Sequence, residues 1–595
     1  MMKKVLVVGG ASFDTLHFFG QTHHTFGGGG LYTALAARRC GVDAGLFAPL
    51  PHPMPASLQP AADRLFWLGP QVTPDEIPRM EIEHNEKGTT YLSVYSGAEL
   101  TMDPGQLPAD LSDYSAVHVI GLGSLHHQLA FLQACRQRNA PFLSAGANLG
   151  GIQTDPQTTQ AVLEIADVYF LNETEGIALF GSVEAAQARP GKLMFLTLGA
   201  KGVQVIQGSV VTHIPALSVP TVDPTGAGDT FCGSTLAFLA QGYHPVEAAR
   251  RAVPPAAETV QVVGPAALLA DTAVPPLLLS PRVSLDAAQI ERVATLAATL
   301  PEVADSDFAG PDHPPVGDPG TLDFFFASTL QQFGFWTTQD GRYHQPLIAP
   351  IQGQMRKGSS YLSQVYRRAM TEYPEFLTVK GQASVTAEAF AEIYRDDNGQ
   401  DVMPALDLHW QMARSYGQDM QALGYTPQSL VEEARGSERP LQTLLMLLDK
   451  IGGYKEDPLR KKSMLLALIL NQRPEKFLTF APDDIATPVI DYHLMRSCLR
   501  VGLIEVKDEA LAAAIAARRV ISEADEQVVR QAAYNAIEQL TAVSGKTIGA
   551  IDWFFFDARR RCPEMTEPEC AKCALDPICA KRKELFQPVY RTTAY

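Results

Sequence analysis

The sequence predicts an α/β domain with a mostly parallel sheet over residues 1–272, followed by a mainly α-helical domain over 283–595. Three observations carry this reading. The chain has 595 residues, too many for one hydrophobic core. In its first half, short apolar runs (KVLVV, AVHVIG, DVYFLN, LMFLTLG) alternate with helical stretches such as 157–167 and 232–252. That alternation is the pattern of parallel strands joined by crossover helices, with helices on both faces of the sheet. Beyond about residue 320 strand signals become sparse and helical patterns dominate.

The N-terminal MMKKVLVVGG places a charged pair before a short β-branched run that breaks at Gly9–Gly10, with no small-residue cleavage site after it. A first buried strand is the expectation, not a signal peptide. No apolar run approaches the roughly 20 residues of a membrane span. Residues 78–102 alternate polar and apolar at period two, which predicts a small β lid. A Pro-rich linker is expected at 273–282. A helix over about 284–300, apolar at Leu285, Ile290, Val293 and Leu296, then opens the second domain. Further helices are expected at 360–370, 387–395, 405–422, 441–450, 459–470, 489–501 and 523–541.

The net charge of −17 weakens any proposal of non-specific duplex binding, which depends on neutralising phosphates. It leaves room for one nucleotide in a local basic pocket. Cys40, Cys135, Cys232 and Cys498 stand singly in apolar company, as buried thiols of a reducing, cytoplasmic protein do.

The strongest motif is Asp223-Pro224-Thr225-Gly226-Ala227-Gly228-Asp229-Thr230, followed by an apolar helix. Phosphoryl transfer to an alcohol needs a base for the hydroxyl proton and donors for the charge on the moving group. A Gly-rich turn opening a helix supplies backbone N–H groups at the positive end of the dipole. Asp229, just inside that helix, lies within reach of a substrate hydroxyl; the plain alternative is a strand–helix turn with a capping acid. The octapeptide closely resembles the C-terminal signature of the ribokinase (PfkB) family of sugar and nucleoside kinases. The resemblance implies Asp229 as catalytic base and Gly226, Ala227 and Gly228 as anion hole.

Other pieces follow in that family's order. Gly27-Gly28-Gly29-Gly30 precedes a small-residue helix, and Asp14 in GASFD matches the acid that holds sugar hydroxyls. Asn172 and Glu175 match its Asn-x-x-Glu motif for Mg²⁺ and phosphate placement, chemistry that suits a carboxylate and retained waters. Thr197, Gly199 and Gly202 match the nucleotide-side turn, and Thr225 joins the ATP and Mg²⁺ group. Tyr32 stands where the family often has a sugar-contacting Asn, which leaves the acceptor sugar open. Partners implied are ATP, a small sugar or nucleoside and, through the lid, a second copy of the chain.

Cys562, Cys570, Cys573 and Cys579 form a dense set near the C-terminal end. Four thiolates within one short loop hold a [4Fe–4S] cluster or a zinc ion. Only Cys570 and Cys573 make a close pair, so an iron–sulfur cluster is favoured over zinc. The spacing lies one residue from that of the cluster loop in endonuclease-III-type DNA glycosylases.

Over about 280–590 the order of features is similar to the queuosine-salvage family, the queuosine 5′-phosphate N-glycosylases. The carrying segments are VSLDAAQIE (283–291), LDFFF (322–326), FGFW (333–336), KGSSYLSQVYRRAM (357–370), SVTAEAFAEIYRDD (384–397), EDPLRKKSMLLALIL (456–470), IDYHLMRSCLRVGLI (490–504) and AIDWFFFDARR (550–560). Cleaving an N-glycosidic bond builds positive charge on the sugar, so a carboxylate beneath the ring stabilises the transition state. The resemblance gives that role to Asp491, which by position is equally a helix cap. Asp323, Phe335 and Trp336 are the expected base-pocket residues, although aromatics so spaced are more often core. Arg367 and Arg368 are candidate phosphate contacts, with a solvated helix face the plainer reading.

Three functions from different classes remain open at this point. One is a bifunctional salvage enzyme that phosphorylates a nucleoside and then releases its base. A second is a kinase joined to a DNA-glycosylase-like domain, and the third a kinase carrying a non-catalytic cluster module.

Overall fold

The computed structural model describes residues 3–18, 20–85, 88–271 and 280–595. The chain divides into two compact units, Met1–Leu278 and Leu279–Tyr595. Most of the expected linker at 273–282 lies outside the described residues. Among those described, no helix is long and apolar enough to cross a membrane.

The first unit is built on a nine-stranded sheet. Its strand order is Val210–Ile214, Val203–Gln207, Leu193–Thr197, Val168–Asn172, Leu143–Gly146, Ala116–Val119, Lys4–Val8, Asp43–Phe47, Phe66–Leu68. The seven strands from Leu193–Thr197 to Phe66–Leu68 pair in parallel, and only the Val203–Gln207 and Val210–Ile214 pairings are antiparallel. Alternation along a strand sends successive side chains to opposite faces. Val5 and Val7 accordingly join one buried cluster with Leu31, Leu35 and Leu236. Leu6 and Val8 join another with Phe131, Leu132 and Val162. Both faces are covered, so the strands read as unbroken apolar runs.

The lid is a separate four-stranded sheet ordered Gln21–Gly27, Ser12–Phe18, Arg79–Asn85, Gly88–Tyr95. The expected flap at 78–102 contributes two of these strands; the others come from the segment after the first strand. The single helix expected over 232–252 is two, Ala227–Gln241 and Pro245–Thr259. Gly242 ends the first in a left-handed conformation (φ 95°) and Pro245 starts the second, the usual stop and start residues.

The second unit is mainly helical. The expected helices appear as Ala287–Thr299, Ser359–Glu372, Ala387–Tyr394, Leu406–Leu423, Pro440–Leu448, Lys461–Gln472, Tyr492–Val501 and Glu523–Ser544. Two hairpins not anticipated, Trp336–Gln339 with Arg342–Pro346 and Ile348–Ile351 with Gln354–Lys357, stand between them. One apolar core runs through the unit, from Ile290 and Val293 to Leu540 and Phe555.

Candidate functional sites

In the first unit the octapeptide lies where the sequence placed it. Gly226 takes a left-handed φ of 74° and caps helix Ala227–Gln241, with Asp229 in the first turn. A Cβ on Gly226 would stand 2.5 Å from the Tyr32 ring, so glycine is required there on two counts. Ala227 N makes only a long 3.4 Å bond to Pro224 O. Burial raises the Asp229 carboxyl from 3.8 to about 6. A base poised near neutrality is what abstraction of a hydroxyl proton needs.

Asp14, on a lid strand, is 4% exposed and accepts 2.6 Å from Ser12 Oγ. Burial lifts its carboxyl to about 6 against the lowering by Ser12, with the charge of Asp223 adding to the rise. A Cβ on Gly27 would lie 2.2 Å from Asp14 Oδ2, which ties Gly27 to Asp14, while Gly28 caps helix Gly29–Arg39. Asp229 Oδ1 would come within 3.2 Å of a Cβ on Gly29, so both glycine motifs and both acids share one place. Tyr32 is wedged there, 1% exposed, and its hydroxyl finds no hydrogen-bond partner among the described residues.

Asn172 and Glu175 form a reciprocal capping box: Glu175 N donates to Asn172 Oδ1 at 3.0 Å, and Asn172 N to Glu175 Oε2 at 2.7 Å. Burial raises the Glu175 carboxyl against the lowering by Asn172 N, and the charge of Asp229 adds to the rise, so the two carboxylates lie near enough to feel each other. Thr197 closes strand Leu193–Thr197, and Gly199 and Gly202 bracket the following turn with φ of 58° and 105°.

Two lid residues escaped the sequence reading. His84 Nε2 lies 2.8 Å from Thr225 Oγ1, joining the lid to the Gly-rich turn. Asp223 fixes that turn, accepting from Thr225 N and Gly264 N at 2.9 Å each. Tyr91, on the outer lid strand, is near enough to Asp229, Asp14 and Glu175 for their charges to raise its hydroxyl beyond what burial does.

The second unit holds a cavity of about 670 Å³. Asp491, 7% exposed, lines it and caps helix Tyr492–Val501, accepting from His493 N at 2.8 Å and Leu494 N at 3.0 Å. Both bonds fall on Oδ1, so capping occupies one oxygen of the carboxylate, and the cap and cavity roles coexist. Arg530 donates to Ile490 O at 3.2 Å and holds Asp457 through two bonds of 2.8 and 2.7 Å, which fixes the backbone leading into Asp491.

Phe335 lines the cavity as expected. Trp336 and Asp323 do not: Trp336 stacks on Tyr343 with Arg591 4.5 Å above its ring, and Asp323 lies near enough to Tyr416 for its charge to be felt there. Arg368 is spent on the carbonyls of Ile393 and Arg395, at 2.8 and 2.6 Å. The cations on the wall are instead Arg356, Lys357, Lys461, Arg559 and Arg560.

The sequence reading also missed Asp552. It is 8% exposed on the cavity wall, and its Oδ1 finds no partner. Burial pushes its carboxyl far above the usual range, and the charge of Asp491 adds to the rise while Lys461 opposes it.

The four loop cysteines line one small cavity of about 50 Å³, with Val501, Phe555, Ala558 and Leu575 as apolar wall. Cys579 feels the charges of the other three. Arg500 donates to Cys562 Sγ at 3.2 Å and Lys581 N to Cys579 Sγ at 3.3 Å, contacts that suit thiolates. Among the described residues, no three His, Cys, Asp or Glu side chains are gathered to hold one metal ion.

A covered parallel sheet, an acid at a Gly-rich helix start and a lid reaching into that turn define the first unit as an α/β phosphotransferase domain. Residues 2–272 match the family described as pfkB family carbohydrate kinase. This unit thus carries the fold of the PfkB-family kinases. The chain is 26% identical to the cytidine kinase of Thermococcus kodakarensis over 252 residues, 40% of this chain and 90% of that one. It is 31% identical to a fructokinase of Klebsiella pneumoniae over 175 residues, 26% of this chain and 56% of that one. Among solved structures it is similar to the Burkholderia thailandensis nucleoside kinase in complex with inosine, with a TM-score of 0.37 and 20% identity, covering 46% of this chain and 94% of that one.

Proposed function

We propose that the first unit phosphorylates the 5′-hydroxyl of a nucleoside and that the second releases the base from the resulting nucleoside 5′-phosphate. The likeness to a cytidine kinase, which the chain spans almost fully, supports a nucleoside acceptor. In this reading Asp14 and Gly27–Gly28 hold the sugar, and Asp229 takes the hydroxyl proton. The Gly226–Gly228 turn steadies the transferring group, and Asn172, Glu175, Thr197, Gly199, Gly202 and Thr225 serve ATP and Mg²⁺. The exposed lid residues Leu92 and Val94 (52% and 55%) suit pairing with a second copy.

The base-release half rests on one observation above all: Asp491 and Asp552 share a cavity, and burial together with the charge of Asp491 raises the Asp552 carboxyl far above its ordinary value. Such a pair divides the work of an acid and an ionised group. Asp491 stabilises positive charge on the sugar, and Asp552, keeping its proton, donates it to the departing base. Phe325, Phe335 and Phe556 offer faces for the base, and Arg356, Lys357 and Arg559 offer charge for the phosphate. Queuosine is the substrate that the sequence resemblance indicates.

The cysteine cavity fits a [4Fe–4S] cluster by its donor set. A single zinc ion draws four sulfurs to about 2.3 Å each, whereas a cubane spreads its ligands farther apart. When bound, the cluster supplies a covalent cross-link of the loop. The reading is tested by incubating the protein with queuosine, ATP and Mg²⁺ and resolving nucleoside, 5′-phosphate and free base. Phosphate without base defeats the second half; no phosphate defeats the choice of acceptor.

A further inference from the structure

Helix Tyr492–Val501 borders both the large cavity and the cysteine cavity. Tyr492 and His493, after the cap Asp491, line the large one; Ser497, Arg500 and Val501 line the cysteine cavity. Two arginines of this helix reach the cysteine segment. Arg500 donates Nη1 to Cys562 Sγ at 3.2 Å and to Pro563 O at 2.9 Å, and Nε to Leu585 O at 2.9 Å. Arg496, 2% exposed, donates to Gln587 Oε1 at 2.7 Å, approaches Glu564 Oε2 at 3.5 Å and lies 3.1 Å from His493 Nδ1.

The segment reciprocates. Pro563 and Glu564, immediately after Cys562, form wall of the large cavity. Glu564 is 2% exposed and pairs with Lys357, which ends hairpin strand Gln354–Lys357 on the same wall. Separating such a pair is costly on the Glu564 side, because its buried carboxylate then stands unpaired in a dry place, whereas Lys357 keeps access to water. Yet the segment has little order of its own: between Cys562 and Cys579 its only regular element is the short turn Cys570–Lys572. A wall so built depends on something that closes the loop.

We propose that the cysteine loop is a positioning strap for the large cavity. Ligation of the four thiols fixes Cys562, and with it Pro563, Glu564, Arg496 and Arg500, so that the helix start bearing Asp491 and His493 is set for base release. The inference rests on the proposed cluster and the proposed base release, and the test separates it from both.

The test uses the full chain, anaerobically purified, with iron and zinc per chain, hydrogen exchange at the His493 and Leu494 amides, and turnover of both reactions measured. Those two amides are held by Asp491 Oδ1, so they report on the helix start without any ligand. Cys573→Ser should lose its metal and exchange at both amides faster by about tenfold or more, the behaviour of a locally opened segment. Its kcat for base release from queuosine 5′-phosphate should fall about tenfold, with KM changed less and kinase turnover retained as a control of folding. Glu564→Gln should keep its metal yet show the same faster exchange and lower kcat, and Glu564→Asp should recover part of both. Unchanged exchange in a metal-free Cys573→Ser chain overturns the strap, as does full base release from it. A metal-free unaltered protein with protected amides overturns it as well. Absence of base release from the unaltered protein sinks that activity alone, and the exchange data still decide the strap.

Discussion

Asp229 and Asp552 are both carboxylic acids lifted by burial, and the chemistry asked of each is opposite. Asp229 must lose its proton to act as base. Its value is raised from 3.8 to about 6, so the productive form is present above about pH 6 and lost as pH falls through it. Phosphotransfer should therefore show an acid limb near pH 6 in a kcat profile. Asp229→Asn should lower turnover by a factor of about 10²–10⁴ with ATP binding retained, the size of a general-base contribution. An unchanged acid limb in the Asn variant would assign that limb to another group. The placement of Asp229 at a Gly-rich helix start was legible because that arrangement is local, complete within eight residues. Asp552 was not, because IDWFFFD reads as a buried apolar helix and its significance comes only from Asp491, about 60 residues away in sequence. Phe335 and Trp336 show the same limit: Phe335 precedes strand Trp336–Gln339 and lines the cavity while Trp336 opens that strand and does not, a difference set by packing that the sequence does not display.

At the scale of elements, four strands of the main sheet, Lys4–Val8, Ala116–Val119, Val168–Asn172 and Leu193–Thr197, were legible because burial on both faces leaves a mostly apolar run for each, whereas the largely exposed edge strand Val210–Ile214 was not. The lid was half legible. Arg79–Asn85 and Gly88–Tyr95 fall in the segment that alternates polar and apolar, whereas Ser12–Phe18 and Gln21–Gly27 carry Asp, Thr and His, and the pairing of Ser12–Phe18 with Arg79–Asn85 is a long-range event. Among the described residues, the lid strand Arg79–Asn85 reaches the Gly-rich turn through the bond between His84 and Thr225. His84→Ala should lower kcat/KM for the acceptor by about tenfold, the upper range of one side-chain hydrogen bond. Thr225→Val should do the same, and the double variant should lose little more, since partners in one contact are not additive. Full additivity would show that the two act separately. The cysteine loop is an element without secondary structure, so its legibility rests on ligand chemistry. The anaerobic protein should hold about four iron atoms per chain and be brown; stoichiometric zinc without iron would replace the cluster by a zinc site.

For the whole molecule, fusion of the two units acquires a reason if one unit's product is the other's substrate. Queuosine alone should then be stable with the protein, if the cations that line the large cavity, Arg559 among them, serve to hold a phosphate as proposed. Adding ATP and Mg²⁺ should give free base, with the 5′-phosphate as an intermediate. Asp229→Ala should stop the sequence at the nucleoside yet still cleave supplied nucleotide, since its defect lies wholly in the first unit. Asp491→Ala should stop at the phosphate, because the sugar cation loses its carboxylate; the lost cap costs helix stability of about 1 kcal/mol, too little to unfold the unit. Asp552→Asn separates the acid from the cap, since it keeps shape and bonding while removing the proton that the departing base takes. It should slow base release and flatten the alkaline limb of the pH profile, leaving phosphate formation intact. An Asp491→Ala chain that releases base as fast as the unaltered protein removes Asp491 from the chemistry. An unaltered chain that forms the phosphate and never the base leaves a nucleoside kinase joined to a helical unit with another task.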